Sequence, residues 1–162
     1  MIIDSLRAWS PPPALGTPPE VVTEPFTVML WGITSEAIRQ WTGGGEAGGG
    51  LAGFAASPGV AEGPARVVLS AAGIGALRDG EILVAPLTAP SWAPVFGTIA
   101  ATVTDVGGIM SHAAIVCREY GLPAVTGTAF GTKIIKTGQL IRVDGNTGMV
   151  TVLHGAGPGQ AE

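Results

Sequence analysis

The placement of glycine and proline constrains the fold of this chain more than any other feature of its sequence. The 162 residues include 26 glycines and 13 prolines, which gather in three stretches. Proline fixes the backbone and glycine frees it, so neither residue sustains a long helix or a central strand. We therefore expect residues 10–25 to be extended, residues 43–50 to form a flexible linker and residues 155–162 to form a frayed tail.

Residues 1–50 are interpreted as an extended, Pro-rich N-terminal arm that ends in the linker and contains one short helix. Thr34 or Ser35 is suited to cap the start of this helix, and Gly43 ends it. Trp31 precedes the helix and is a candidate anchor for a partner. We expect the arm to dock on a larger body.

Residues 51–154 carry the pattern of a folded domain, because short β-branched runs alternate there with turn residues. The predicted strands are Ala65–Leu69, Glu81–Ala85, Ile99–Thr104, Ala124–Thr126, Leu140–Val143 and Met149–Leu153, the last two joined as a hairpin. One helix is predicted over His112–Tyr120, ended by Gly121 and Pro123, and a weaker helical turn near residues 70–77. Many short strands with few helices indicate a β-rich α/β domain.

Charge and composition exclude two kinds of partner. The formal net charge is −4, and the sequence has no cluster of Lys and Arg of the kind that grips nucleic-acid phosphates. Residues 82–104 carry no charge and are long enough to span a bilayer, but Pro86, Pro90 and Pro94 would break a helix there. We expect a strand, a loop and a strand in this stretch, and neither a nucleic-acid nor a membrane partner.

The single cysteine, Cys117, indicates the compartment and the metal chemistry. One thiol cannot form an internal disulfide, and no second thiol is present to help build a zinc site. The chain is therefore predicted to be cytoplasmic and to bind no metal itself. Cys117 lies five residues after His112 on the predicted helix, so its side chain points away from His112 and is expected to pack in the core.

A polar segment from Asp105 to Ala114 links an apolar strand to that helix. The first turn of a helix has unpaired backbone N–H groups and the positive end of the helix dipole, both of which stabilise a phosphate. Gly107 and Gly108 would let the backbone come close. Ser111 can cap the helix or donate its hydroxyl to a phosphate oxygen, and Ala113 keeps the approach to the neighbouring ring open.

His112 is the candidate nucleophile of this segment. A histidine with its reference pKa of about 6.5 is mostly neutral near pH 7, so one ring nitrogen has a lone pair that can attack phosphorus. The sequence has no Walker-type glycine-lysine loop and no dense carboxylate set for magnesium, so we expect the nucleotide chemistry elsewhere. From the residues alone two interpretations stay open: a phosphoryl carrier, or a histidine that only caps or packs near a helix start.

The segment Gly107–Val125, GGIMSHAAIVCREYGLPAV, resembles the swivelling phosphohistidine (mobile) domain of the phosphoenolpyruvate (PEP)-utilising enzymes. The resemblance extends to residues 55–68, 82–95 and 138–150, and it implies a β/β/α swivelling fold. Met110 stands where many members have threonine. This makes the motif most similar to the branch with rifampicin phosphotransferase, phenylphosphate synthase and PEP synthase.

The resemblance implies that His112 is phosphorylated and that Gly107, Gly108, Ser111 and Ala113 receive the phosphate. It implies transfer of the β-phosphoryl group of ATP to His112, with release of AMP and phosphate, and then transfer to a hydroxyl group of a small organic acceptor; PEP is the alternative donor. Larger members of the family join this domain to an ATP-grasp domain and a substrate domain. We expect these parts on partner subunits, so ATP and Mg²⁺ would bind a partner and this chain would hold no cofactor.

Three functions remain open. The first is a phosphohistidine subunit of a split dikinase-like phosphotransferase, or a piece of a longer one. The second is a non-catalytic swivelling domain that binds or regulates, and the third is a small hydrolase that uses His112 as a base. The hydrolase would need a nucleophile or an activated water, and the sequence shows no group for either close to His112. We favour the first function, as a subunit.

Overall fold

The computed structural model describes residues 20–43 and 50–154. Most of the predicted extended stretch, the centre of the predicted linker (residues 44–49) and the predicted tail (residues 155–162) lie outside the described residues. Within the two described ranges, no helix is long and apolar enough to cross a bilayer.

The described part of the chain consists of short strands and short helices. The strands are β1 Leu51–Ala52, β2 Phe54–Ser57, β3 Val60–Val67, β4 Ile82–Ala85, β5 Ala101–Thr104, β6 Ala124–Thr126, β7 Leu140–Asp144 and β8 Met149–His154. The α-helices are α1 Ser35–Gly43, α2 His112–Tyr120 and α3 Gly131–Ile134, with a π-helical turn at Thr27–Trp31 and 3-10 segments at Ala71–Ala76 and Pro90–Gly97. The fold is therefore the β-rich α/β type that the sequence predicts.

The strands form one sheet with the order β1-β8-β7-β3-β4-β5-β6-β2. β1 and β2 lie at opposite ends of this order although only Gly53 separates them in the sequence, so the sheet returns on itself like a barrel. β3 to β6 pair in parallel as β3-β4-β5-β6. The remaining pairs are antiparallel.

Three of the four parallel strands, β4, β5 and β6, are buried on both faces. In β4, Ile82 and Val84 belong to the apolar cluster on one face, while Leu83 and Ala85 belong to the cluster on the other face. The sequence of such a strand is a continuous run of apolar residues, because neither face is exposed to water. The second cluster also includes residues of α2 and of the 3-10 segment Pro90–Gly97, so this face of the sheet fixes α2 in place.

The six predicted strands are all present, although several of their ends differ. Ala124–Thr126 has the predicted bounds, and the antiparallel pairing of β7 with β8 confirms the hairpin. The predicted start of a strand at Ala65 is wrong, because β3 begins at Val60. Gly63 and Pro64 resemble a turn in the sequence, but in the structure Gly63 is a strand residue where a Cβ would crowd the Gly80 carbonyl oxygen at 3.0 Å.

Both predicted helices are confirmed. The Thr34 Oγ1 accepts a hydrogen bond of 3.0 Å from the Ala37 amide, which makes Thr34 the cap of α1. Helix α2 has the predicted bounds and ends at Gly121 in the left-handed conformation, with φ 68°. The predicted weak turn near residues 70–77 is a 3-10 segment.

A tight backbone contact at the β7-β8 turn gives a test of the fold. A Cβ at Gly145 would lie 1.9 Å from the Ser57 carbonyl oxygen, whereas a Cβ at Gly75 would meet nothing within 4 Å. Gly145→Ala should lower the free energy of unfolding by about 1–3 kcal/mol, the usual cost of overpacking. Gly75→Ala should change it by less than about 0.5 kcal/mol. Urea denaturation followed by circular dichroism measures both, and equal effects would contradict this packing of the turn.

Candidate functional site

The candidate site lies where strand β5 ends and helix α2 begins. Ser111 is the N-cap of α2: its backbone is extended, and its Oγ accepts a hydrogen bond of 3.4 Å from the Ala114 amide. His112 is the first residue of the helix. The backbone amides of His112 and Ala113 donate to no acceptor in the described part of the chain, as expected for the first turn of a helix. They leave two donors available for an anion.

The imidazole of His112 is fixed by two contacts. Its Nδ1 lies 2.9 Å from the Oγ1 of Thr88, and its ring meets the Phe96 ring edge to face, with 5.9 Å between centroids. Thr88 and Phe96 are buried, and His112 is half-buried. Burial lowers the pKa of His112 below the ordinary value for histidine. The ring is therefore neutral and positioned near pH 7.

The hydrogen bond to Thr88 determines which ring nitrogen is free to react. Nε2 of His112 has no hydrogen-bond partner among the residues that the structure describes. When the proton is on Nδ1, the Thr88 hydroxyl accepts it as a hydrogen bond and the lone pair of Nε2 remains available. Because the contact with Thr88 occupies Nδ1, Nε2 is the ring nitrogen that an incoming phosphorus atom can reach.

A cavity of about 270 Å³ opens beside this ring. Its lining residues are Leu30, Trp31, Leu87, Thr88, Ala89, Pro90, Val106, Gly107, Ser111, His112 and Ala113. None of them carries a formal charge. The structure thus brings four of the five predicted site residues to one cavity, and the exception is Gly108.

Residues Gly107–Met110, which we call the glycine loop, precede α2 and are hydrogen-bonded to the N-terminal arm. The amide of Gly107 donates to the Trp31 carbonyl at 2.8 Å, and the amide of Gly108 donates to the Leu30 carbonyl at 3.2 Å. The amide of Met110 donates to a third carbonyl of the arm, that of Met29, at 2.9 Å. The amides of the two glycines that the sequence analysis places next to the phosphate are therefore occupied by carbonyls of the arm.

The approach of the arm explains why the loop contains glycines. A Cβ at Gly108 would lie 2.2 Å from the Met29 carbonyl oxygen, so any side chain there would collide with the arm backbone. Gly32 in the arm adopts φ +70°, and a Cβ there would lie 2.5 Å from the Gly107 carbonyl oxygen. The sequence analysis attributed the glycine pair to the approach of a phosphate, whereas in the structure the arm backbone makes the close contact.

Two residues near His112 do not contribute to its chemistry. Cys117 is buried in the core as predicted, and burial raises the pKa of its thiol to about 11, so it stays protonated. Asp105 accepts hydrogen bonds from the amide and the hydroxyl of Thr132, at 2.8 and 2.5 Å, and has no contact with His112 among the described residues. It is engaged in holding α3 and is not placed to act as a base for the ring.

Sequence reasoning missed Thr88 and Phe96 as partners of the ring. Both lie in or beside residues 82–95, which the sequence analysis matched to the family without assigning a role to any side chain. The available signal was Thr88 itself, a hydroxyl residue three positions after a buried strand in a mostly apolar stretch. Its distance of 24 positions from His112 hid the contact, because no periodicity links such positions.

Comparison with known proteins agrees with this site. Residues 77–148 match the family model of the PEP-utilising enzyme mobile domain. A rifampicin phosphotransferase of Bacillus cereus is 44% identical over 137 residues, 85% of this chain and 15% of that protein. A phosphoenolpyruvate synthase of Pyrococcus furiosus is 42% identical over 130 residues, 80% of this chain and 16% of that protein. A chondramide synthase of Chondromyces crocatus is 52% identical over 103 residues, 64% of this chain and 3% of that protein.

These relatives confirm the resemblance inferred from the sequence, including its branch. They are far longer than this chain, which spans 3% to 16% of their lengths. The matched region includes Thr88, Phe96, the glycine loop and His112. The similarity therefore covers the residues that hold His112. Most of the length of each relative lies outside the region that matches this chain.

The contact between Thr88 and His112 can be tested by removing the hydroxyl. Thr88→Val keeps the shape of the side chain but loses a hydrogen bond worth about 1 kcal/mol. The free energy of unfolding should then fall by about 1 kcal/mol, as measured by urea denaturation. Thr88→Ser keeps a hydroxyl and should retain most of that stability. A free energy of unfolding that is unchanged in Thr88→Val would contradict this hydrogen bond.

Proposed function

Since residues 77–148 of this chain belong to the mobile-domain family of the PEP-utilising enzymes, we propose that the chain is a phosphohistidine carrier. It takes a phosphoryl group onto His112 and passes it to a small organic acceptor. The observation that carries this proposal is the geometry of one ring. Nδ1 of His112 is paired with Thr88, and Nε2 is free beside a cavity at the start of a helix.

The first step is a nucleophilic substitution at phosphorus. The lone pair of Nε2 forms a bond to phosphorus, and the bond from phosphorus to the leaving oxygen of the donor breaks, with its electron pair going to that oxygen. When ATP is the donor, AMP leaves with that oxygen, and water cleaves the bond to the γ-phosphoryl group to release phosphate. The second step reverses the roles: an acceptor hydroxyl oxygen bonds to phosphorus, the P–N bond breaks and the hydroxyl proton is released. No external oxidant or reductant takes part in either step.

The start of α2 stabilises the phosphoryl group while it is attached. The unpaired amides of His112 and Ala113 lie at the positive end of the helix dipole, where a phosphate is favoured. Ser111 is placed to add its hydroxyl, because it lines the same cavity. This set corresponds to the predicted phosphate-binding residues Ser111 and Ala113.

The partners follow from what the cavity lacks. Its lining carries no positive charge to neutralise a nucleotide or PEP, so the charge of the donor must be met by another protein surface. We propose an ATP-grasp subunit that binds ATP and Mg²⁺, with PEP as the alternative donor, and a separate subunit that binds the acceptor. The much greater lengths of the rifampicin phosphotransferase and the phosphoenolpyruvate synthase support the need for such parts. A cytoplasmic location is part of this proposal.

A second candidate function is a swivelling domain that only binds or regulates. The observation in its favour is that three amides of the glycine loop are bonded to the arm, which leaves fewer donors for a phosphate. This candidate predicts partner binding without modification of His112. Labelling separates the two functions.

The labelling experiment combines the chain with a cell extract that supplies its partners, and with either ATP labelled in the β-phosphoryl group or labelled PEP. The chain should acquire label that is stable in alkali and lost in acid, as expected for a phosphoramidate. His112→Ala should lose all label. His154→Ala is the matched control, because the chain has two histidines, and it should keep the label in full.

Two outcomes would refute the carrier function. The first is label that persists in His112→Ala. The second is a chain that binds a partner from the extract yet remains unlabelled with both donors, and this result would favour the binding or regulatory function.

The reactivity of His112 should depend on pH in a defined direction. Only the neutral ring can attack phosphorus, and burial lowers the pKa of His112, so the ring stays neutral to a lower pH than free histidine. The rate of phosphorylation by phosphoramidate should fall only below about pH 6.5. A peptide covering residues 108–116 is the control and should lose reactivity at higher pH than the chain. Coincident profiles would contradict a role for burial.

A further inference from the structure

Residues Thr27–Gly32 of the arm, which we call the strap, lie across the glycine loop beside His112. Three consecutive carbonyls of the strap accept hydrogen bonds from the loop amides, and two strap residues, Leu30 and Trp31, form part of the cavity wall. The strap therefore occupies loop donors and borders the space into which a phosphoryl group on Nε2 of His112 would project.

The strap is attached mainly through its backbone. None of the residues of its helical turn is buried, and the side chains of Leu30 and Trp31 are 42% and 53% exposed. Little apolar surface is thus removed from water when the strap docks, and apolar burial is the main source of stable attachment. The docking rests on a few hydrogen bonds between neutral groups, whose net contribution to stability is modest.

A phosphoryl group is a stronger partner than a carbonyl for the amide of Gly107, which lines the same cavity as His112. It carries close to two negative charges near pH 7 and has three acceptor oxygens, and hydrogen bonds to a charged acceptor are about twice as strong as bonds to a neutral one. Its charge would also face the carbonyl dipoles of the strap, whose oxygens point to the loop. The two occupants compete at Gly107, because its amide has one proton and already donates it to the Trp31 carbonyl.

We propose that the strap docks on the glycine loop while His112 is unmodified, and that a phosphoryl group on His112 displaces it. This inference rests on the proposed function, since it needs a phosphorylated His112. Because coupling between two binding events is reciprocal, docking of the strap opposes phosphorylation by the same factor with which phosphorylation opposes docking. The position of the strap, docked or released, then depends on whether His112 is phosphorylated.

Two substitutions loosen the strap without changing the residues that bind the phosphoryl group. Gly32→Ala places a Cβ 2.5 Å from the Gly107 carbonyl oxygen at a backbone φ of +70°, so the strap must move away. Glu24→Ala removes a carboxylate that accepts hydrogen bonds from the Thr27 amide and hydroxyl at 2.6 and 2.7 Å. The exposed Gly75→Ala is the matched control, because it meets nothing within 4 Å.

Docking is measured by NMR as the scalar coupling across the hydrogen bond from the Gly107 amide to the Trp31 carbonyl. This coupling requires the bond itself, so a phosphate that replaced the carbonyl could not mimic it. It should be present in the unmodified chain and in Gly75→Ala, weakened in Glu24→Ala and absent in Gly32→Ala. It should disappear from the wild-type chain after phosphorylation.

Phosphorylation is measured with phosphoramidate, a small donor that needs no partner: Nε2 of His112 bonds to phosphorus and ammonia leaves. Mass spectrometry of the intact chain should show that Gly32→Ala is labelled about tenfold faster than the wild type, within the usual range of coupling. Glu24→Ala should show a smaller increase, and Gly75→Ala should match the wild type.

The outcomes separate the strap from the carrier function. Equal labelling rates in the wild type and in a variant that has lost the Gly107–Trp31 coupling would overturn the strap proposal alone, as would a coupling that survives phosphorylation of His112. A chain that shows the coupling but takes no label on His112, either from phosphoramidate or from its partners, would overturn the carrier function and the strap proposal with it. If Gly32→Ala does not fold, Glu24→Ala decides the matter, because Glu24 is exposed.

Discussion

The parallel pairing of β4 with β5 is the constraint on which the candidate site depends. Ala85 at the end of β4 lies opposite Thr104 at the end of β5, so the segments that follow the two strands leave the same edge of the sheet. Thr88 follows β4 and His112 follows β5, and this edge brings their side chains to hydrogen-bond distance. Residues at the carboxyl ends of adjacent parallel strands commonly build sites, because the sheet positions them while leaving them accessible.

The second constraint is that buried backbone amides need a hydrogen-bond acceptor. Gly107 and Gly108 are buried, and a buried amide without a hydrogen bond destabilises the fold. In a carrier, a phosphoryl group would be present only part of the time, so its donors need an alternative acceptor when it is absent. The carbonyls of the arm supply that alternative through backbone contacts alone. The arm and the glycine loop are thus held together by backbone hydrogen bonds, although they are far apart in the sequence.

Under the proposed carrier function, the residues around His112 supply only part of the chemistry. The chain supplies a neutral ring, selects one of its nitrogens and offers the free amides of a helix start, while its cavity has no charged lining. A carrier has to release its phosphoryl group as readily as it accepts it, and a site without strong positive charge avoids holding the anion too tightly. Activation of the donor and recognition of the acceptor require charges and surfaces that the described residues do not provide. This division agrees with relatives of which this chain spans only a small part.

The sequence by itself determined the elements whose signals are local: the strands with β-branched runs, the bounds and caps of α2, the hairpin of β7 and β8, and His112 at a helix start. It also determined the family, because the motif around His112 is contiguous. Only the tertiary structure decided that β1 and β2 close the sheet, that Thr88 and Phe96 hold the ring, and that the arm occupies the amides of Gly107 and Gly108. These contacts join residues many positions apart, and the energy that selects them comes from pairing and burial, which no local pattern of residue types records.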